Sequence, residues 1–179
     1  TFKNEKHIER YIGKKANNDI CKYNLKNIKQ KYFAQITKIR YRNKLWEITL
    51  KDKKRYTAKA LILTCPYPQL KKLAKSYLHK KIIDLRITML PNITLMLGIK
   101  NQRKLLLSSI KFNNDILSWA ANENSKKRFK SHIDLWTLQS SLKWSKKNIN
   151  HCKNNNKIIN ELQSIFLKLT GFDKKNIVF

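Results

Sequence analysis

A chain of 179 residues that is 41% hydrophobic, with only three Gly and three Pro, can bury one good core or two small lobes and is neither a linker nor a low-complexity segment. Its 40 Lys and Arg against 11 Asp and Glu give a net charge of +29, a balance that ordinarily points to nucleic acid or anionic membranes. The cations are mostly Lys, scattered through every segment with abundant Asn and Ile, so a solvated surface accounts for them; a basic module for nucleic acid or anionic surfaces is the alternative reading.

In chain order, Asn4 can cap a short helix with Ile8, Tyr11 and Ile12 on one side and Glu5 in its first turn, where His7 reads as a core or surface histidine. Ile20, Tyr23, Leu25 and Ile28 keep no clean period and predict a short strand or irregular connection. From Tyr32 to Leu70 the pattern is a three-stranded meander followed by a buried strand and a helix. The first strand, Tyr32 to Arg40, carries Phe33, Ile36 and Ile39. A polar turn at Arg42, Asn43 and Lys44 leads to Leu45–Leu50, where Trp46, Ile48 and Leu50 alternate with Glu47 and Thr49. A second turn at Asp52, Lys53 and Lys54 precedes Tyr56. The continuous apolar run Ala60-Leu61-Ile62-Leu63, ending at Thr64-Cys65-Pro66, predicts a strand covered on both faces.

Pro68 opens a helix whose Leu70, Leu73, Ala74, Tyr77 and Leu78 recur at helical spacing. Between Thr88 and Ile99 the chain alternates again, with Ile93, Leu95, Leu97 and Ile99 on one side. Gly98 marks a bulge or a place where something approaches the backbone closely. Leu105 to Phe112 and Ile116 to Ala121 form the next antiparallel pair around a turn at Asn113-Asn114-Asp115. Ile133 to Ser140 reads as a strand, and Trp144-Ser145 as a turn. The last helix has caps at Asn154 to Asn156, a stripe of Ile158, Leu162, Ile165, Phe166 and Leu169, and Gly171 where a C-cap belongs. The spacing predicts one more strand from Asn176 to Phe179. With Thr in first place and that strand cut short, the sequence is expected to be an internal piece of a longer protein.

Several chemistries have no motif here. Glycine occurs only at Gly13, Gly98 and Gly171, so no G-x-G-x-x-G turn is present, and a P-loop, a zincin helix, an EF-hand and a G-x-S-x-G elbow are missing too. No carboxylates form an acid/base pair, no catalytic residue is identified, and no metal site is expected. Cys21, Cys65 and Cys152 are odd in number and far apart, which fits a reducing, cytoplasmic setting. No apolar run approaches the roughly 18 residues of a bilayer span. Trp119 and Asn122, with Trp136, Gln139 and Trp144, offer apolar walls and placed amides for a pocket; a tryptophan-rich core with Gln139 satisfied by a strand neighbour explains the same residues.

The order Ile36 to Ile39, then Trp46, then Tyr56-Thr-Ala-Lys-Ala-Leu-Ile-Leu-Thr-Cys-Pro-Tyr-Pro-Gln resembles the flavin-binding domain of renalase-like and amine-oxidase-like FAD-dependent oxidoreductases, an NAD(P)/FAD-binding family. The downstream words Ser118-Trp-Ala-Ala-Asn122, Trp136-Thr-Leu-Gln139 and Lys143-Trp-Ser145 resemble its substrate domain in the same order. The resemblance implies an α+β fold. A partial FAD-binding domain over 1–67 would contain the meander and the buried strand, a connecting helix would run over 68–86, and a substrate domain with an antiparallel sheet would occupy 87–179. It implies bound FAD, a small amine or dihydronicotinamide-type substrate oxidised by hydride transfer, and a Gly-rich Rossmann segment of the same protein as partner, with no specific nucleic acid and no membrane. It places Ile36, Thr64 and Pro66 against the cofactor, although by residue type alone Ile36 is an ordinary core isoleucine and Thr64 and Pro66 a plain strand end. Trp119, Asn122, Trp136 and Gln139 would line the substrate side. Without the Gly-rich turn, the 179 residues alone are expected to be inactive.

Overall fold

The computed structural model describes residues 11–100 and 107–179. The protein is α+β, with a three-stranded and a four-stranded antiparallel sheet, and it divides into two compact units, Leu25–Met89 and Thr1–Asn24 with Leu90–Phe179. The expected first helix falls largely outside the described residues. Where a short strand or irregular connection is predicted over Ile20 to Ile28, the chain forms helix α1 (Asp19–Asn24) and then an irregular connection through Leu25 and Ile28. The Asp19 carboxylate accepts hydrogen bonds from the Lys15 and Ala16 amides at 2.6 and 3.0 Å and orders the turn ahead of it.

The unit Leu25–Met89 is built on a meander of β1 (Ile36–Arg42), β2 (Leu45–Leu50) and β3 (Arg55–Ala58). Both hairpins turn through residues at positive φ, Asn43 and Lys44 in the first and Lys53 in the second, as the polar turn sequences predict. Alternation sends Ile39, Tyr41, Trp46, Ile48 and Tyr56 to one face, since Ile39 pairs with Ile48 and Ile48 with Tyr56. Against that face sit α2 (Tyr67–Ala74) and the 3₁₀ turn Lys75–Tyr77, where Tyr77 meets Trp46 edge-on at 5.0 Å and Trp46 lies 5.1 Å from Tyr41. Full burial of apolar residues is limited here to Ile39, Leu50 and Ala74 among the described residues. A short helix, α3 (Lys80–Ile83), closes the unit, with the Tyr67 hydroxyl donating to the Ile82 and Ile83 carbonyls at 2.9 Å.

The apolar run at Ala60–Leu63 corrects one expectation. It joins no sheet, and Ile62 is 87% exposed. Hydrophobicity fixes what a segment prefers to bury, whereas a strand also needs a neighbouring backbone to bond; none of the described strands lies alongside.

In the other unit, β4 (Thr94–Lys100), β5 (Ser109–Lys111), β6 (Leu117–Asn122) and β7 (Ile133–Ser140) form a sheet in the order β4-β7-β6-β5. The Asn114 side chain accepts the Ile116 and Leu117 amides at 2.9 and 3.1 Å, which sets the β5–β6 turn. Trp144-Ser145, expected as a turn, lies inside α4 (Leu142–Asn148), capped by the Ser141 hydroxyl accepting from the Trp144 amide at 3.1 Å. Helix α5 (Asn156–Thr170) matches its sequence signature: Asn155 caps it, Gly171 ends it at φ 73°, and Ile158, Leu162 and Phe166 are buried against Leu97, Ile99, Trp136 and Leu138 of the sheet. The segment Asn176–Phe179 pairs only briefly with the free edge of β4, through Val178 N–H to Gly98 O at 2.8 Å and Gly98 N–H to Phe179 O at 2.9 Å. Gly98 is indeed a point of close approach, because a Cβ there would lie 2.7 Å from the Phe179 ring.

Asp134 is buried on the core side of β7, and burial raises its carboxyl above the ordinary carboxylate range. The folded state therefore holds this proton more tightly than the unfolded chain. The stabilising effect of the bound proton is complete below the unfolded pKa and is lost as pH rises through the folded value. Denaturant midpoints measured from pH 3 upward are expected to show this decline, and Asp134→Asn to flatten it; an unchanged slope in the variant would assign the pH dependence elsewhere.

Candidate functional site

Sheet alternation decides which of the expected pocket residues can act together. In β6 and β7, Trp119 pairs with Gln139 and Asn122 pairs with Trp136. Each pair is three positions from the other along both strands, so the two pairs project from opposite faces. Trp119 and Gln139 are half-buried on the face away from α5, in one row with Thr94, while Ala121, Thr137 and Met96 form the next row. Met96 is largely exposed, so this face is open. Along it, Thr137 Oγ1 donates to Glu123 Oε1 at 3.0 Å, and Glu123 is in turn paired with Lys126. The Phe179 ring covers Gly98 two rows from Trp119, on the same face.

Trp136 and Asn122 serve the core. Trp136 is 1% exposed, with its ring 5.3 Å from Phe166 and 6.1 Å from Phe172, and its indole N–H has no partner among the described residues. Asn122 uses its side-chain oxygen to accept the Asn124 amide at 3.0 Å, capping the 3₁₀ turn Glu123–Lys126. Asn124 then replaces a strand neighbour for β7, donating to Ile133 O and accepting from Leu135 N–H, both at 2.9 Å. Arg128 bonds Gly13 O at 3.1 Å and the Asn17 side chain at 2.5 Å, so it anchors the segment ahead of α1. The spacing of three between Trp136 and Gln139 already carried the signal that separates them.

In the meander unit, Ile36 opens β1 opposite Leu50, beside an irregularity in the ladder. Next to it lies an open depression of about 350 Å³ whose lining includes Lys31, Phe33, Gln35, Leu50, Lys51 and the Asp52 carboxylate. Phe33 is fully exposed and holds φ at 54°, a conformation that bulky side chains rarely adopt. Phe33, expected inside the first strand, instead lies ahead of β1 as a surface ring. Thr64 and Pro66 are exposed on the connection into α2, with the Pro66 carbonyl accepting the Leu70 amide at 3.0 Å. No hydrogen bond among the described residues joins them to Ile36. No cluster of three or more metal-ligating side chains occurs among the described residues, and none of their helices is long and apolar enough to cross a membrane.

No protein-family model and no curated protein matches this sequence. The chain is similar in structure to a protein from Exiguobacterium sp. 255-15 named as a candidate protoporphyrinogen oxidase, with a TM-score of 0.62 over 92% of this chain at 9% identity. It spans 38% of that protein's length, and the likeness is one of fold.

Proposed function

We propose that this chain is the middle and C-terminal portion of an FAD-dependent oxidoreductase of the renalase-like and amine-oxidase-like kind, which takes hydride from an amine or dihydronicotinamide-type substrate. The observation that carries the proposal is the shared fold, over 92% of the chain, with a protein named as an oxidase. The order of the sequence words from Tyr56 to Gln69 and from Ser118 to Ser145 supports the narrower family. FAD, when bound, supplies the hydride acceptor.

The residues present suit the adenine end of that cofactor. Ile36 would hold it together with the neighbouring depression, where Phe33 offers a ring, Lys31 and Lys51 offer cations, and Asp52 adds one carboxylate. Thr64 and Pro66 would follow it on the connection after β3. The chain lacks what a pyrophosphate needs, a Gly-rich turn that lets backbone amides close on the phosphates. On the open sheet face, Trp119 would orient a flat substrate by stacking, and the Gln139 amide beside it can both donate and accept a hydrogen bond. Asn122 and Trp136 would support that wall from behind. Three separate free cysteines suit a reducing, cytoplasmic setting.

Equilibrium dialysis of the isolated 179 residues against FAD is expected to show no stoichiometric binding and no substrate turnover. The product of the same reading frame extended upstream through a Gly-rich βαβ unit is expected to purify with one flavin. Stoichiometric flavin on the isolated chain, or an extended product free of flavin, would overturn the proposal.

A further inference from the structure

The face of the meander that turns away from α2 is cationic. Lys38, Arg40 and Arg42 alternate along β1 and so share this face, about 6.7 Å apart along the strand. The register brings Arg55 of β3 onto it as well, through Lys38 opposite Thr49 and Thr49 opposite Arg55. These four side chains are exposed, and among the described residues none of them forms an ion pair. The face carries one carboxylate, Glu47, between Arg40 and Thr57, along with the hydroxyls of Thr49 and Thr57. Three of the seven arginines in the sequence thus occupy one flat surface. The aromatic residues Tyr41, Trp46 and Tyr56 all lie on the opposite face.

We propose that this surface, built from Lys38, Arg40, Arg42 and Arg55, binds the phosphate backbone of a single-stranded nucleic acid without reading its sequence. The inference goes beyond the oxidoreductase reading and does not rest on it. A row of cations at alternate strand positions matches the repeat of successive phosphates along an extended strand. Guanidinium forks take phosphate oxygens in pairs, and threonine hydroxyls add further donors. With no ring on the face the contacts stop at the phosphates, which carry no sequence information and make binding strongly dependent on salt.

The test is fluorescence anisotropy of a labelled oligothymidylate of about 12 nucleotides titrated with the 179-residue chain over a range of salt concentrations. The combined variant Arg40→Gln, Arg42→Gln, Arg55→Gln is expected to flatten the log–log salt slope by about 2, from three lost contacts. Removing the same charge from exposed lysines elsewhere, with Lys146→Gln, Lys147→Gln and Lys168→Gln, is expected to change it by much less. Replacing the three arginines by lysine is expected to keep most of the slope, and circular dichroism checks that each variant is folded. Equal flattening by the two glutamine sets would assign binding to the diffuse field of the protein and overturn the proposal. So would binding to phosphatidylserine vesicles with none to the oligonucleotide, or no salt-dependent binding at all.

Discussion

Trp136→Ala is expected to lower the stability of the four-stranded unit by about 3–5 kcal/mol, the range for deleting a buried aromatic side chain. The ring lies at the centre of the sheet and contacts Phe166 and Phe172. Removing it opens a cavity that α5 can close only by leaving its register with Leu97 and Leu138. A urea titration followed by the remaining tryptophan fluorescence should show the midpoint fall steeply. Trp119→Ala gives the contrast: its ring is half-buried on the open face, and its loss is expected to cost about 1 kcal/mol or less. If the two variants lost stability equally, the assignment of Trp136 to the core and Trp119 to the open face would fail.

Trp46→Ala is expected to undo the meander unit selectively. That unit fully buries few apolar residues, and Trp46 joins Tyr41 of β1 to Tyr77 of the turn after α2. Losing a half-buried ring and two aromatic contacts is expected to cost about 2–3 kcal/mol, a large share of what so small a core can supply. Hydrogen exchange should show lost amide protection in β1 to β3 and in α2, with protection retained in β4, β7 and α5. Uniform loss across both units would show that they fold as one cooperative block. Trp46→Phe, which keeps a ring, is expected to recover most of the protection.

The proposed nucleic-acid face bears on how the +29 charge is read. By sequence the cations are scattered and lysine-rich, which favours a solvated surface. Folding gathers Arg40, Arg42 and Arg55 onto one side of a sheet, because positions two apart share a face and the register adds the third. Both descriptions hold, since most lysines remain dispersed while this face is a local concentration.

Elements whose causes are local were legible in the order of residues. Helix α5 has its cap, stripe and terminal glycine written in consecutive residues; β7 runs over Ile133–Ser140 as predicted; and the Asn113-Asn114-Asp115 turn carries its own hydrogen-bond acceptor. The odd spacing of Trp119 and Asn122 and of Trp136 and Gln139 also held the fact that one expected pocket wall would be split between two faces. Features that depend on a partner distant along the chain emerged with folding alone. The run Ala60–Leu63 has strand-like residues but no described strand beside it, Phe179 reaches Gly98 by pairing with the edge of β4, and Arg55 joins the β1 cations through β2. Hydrophobic pattern and capping chemistry act over a few residues, whereas burial and strand pairing are settled by whichever segments the fold brings alongside.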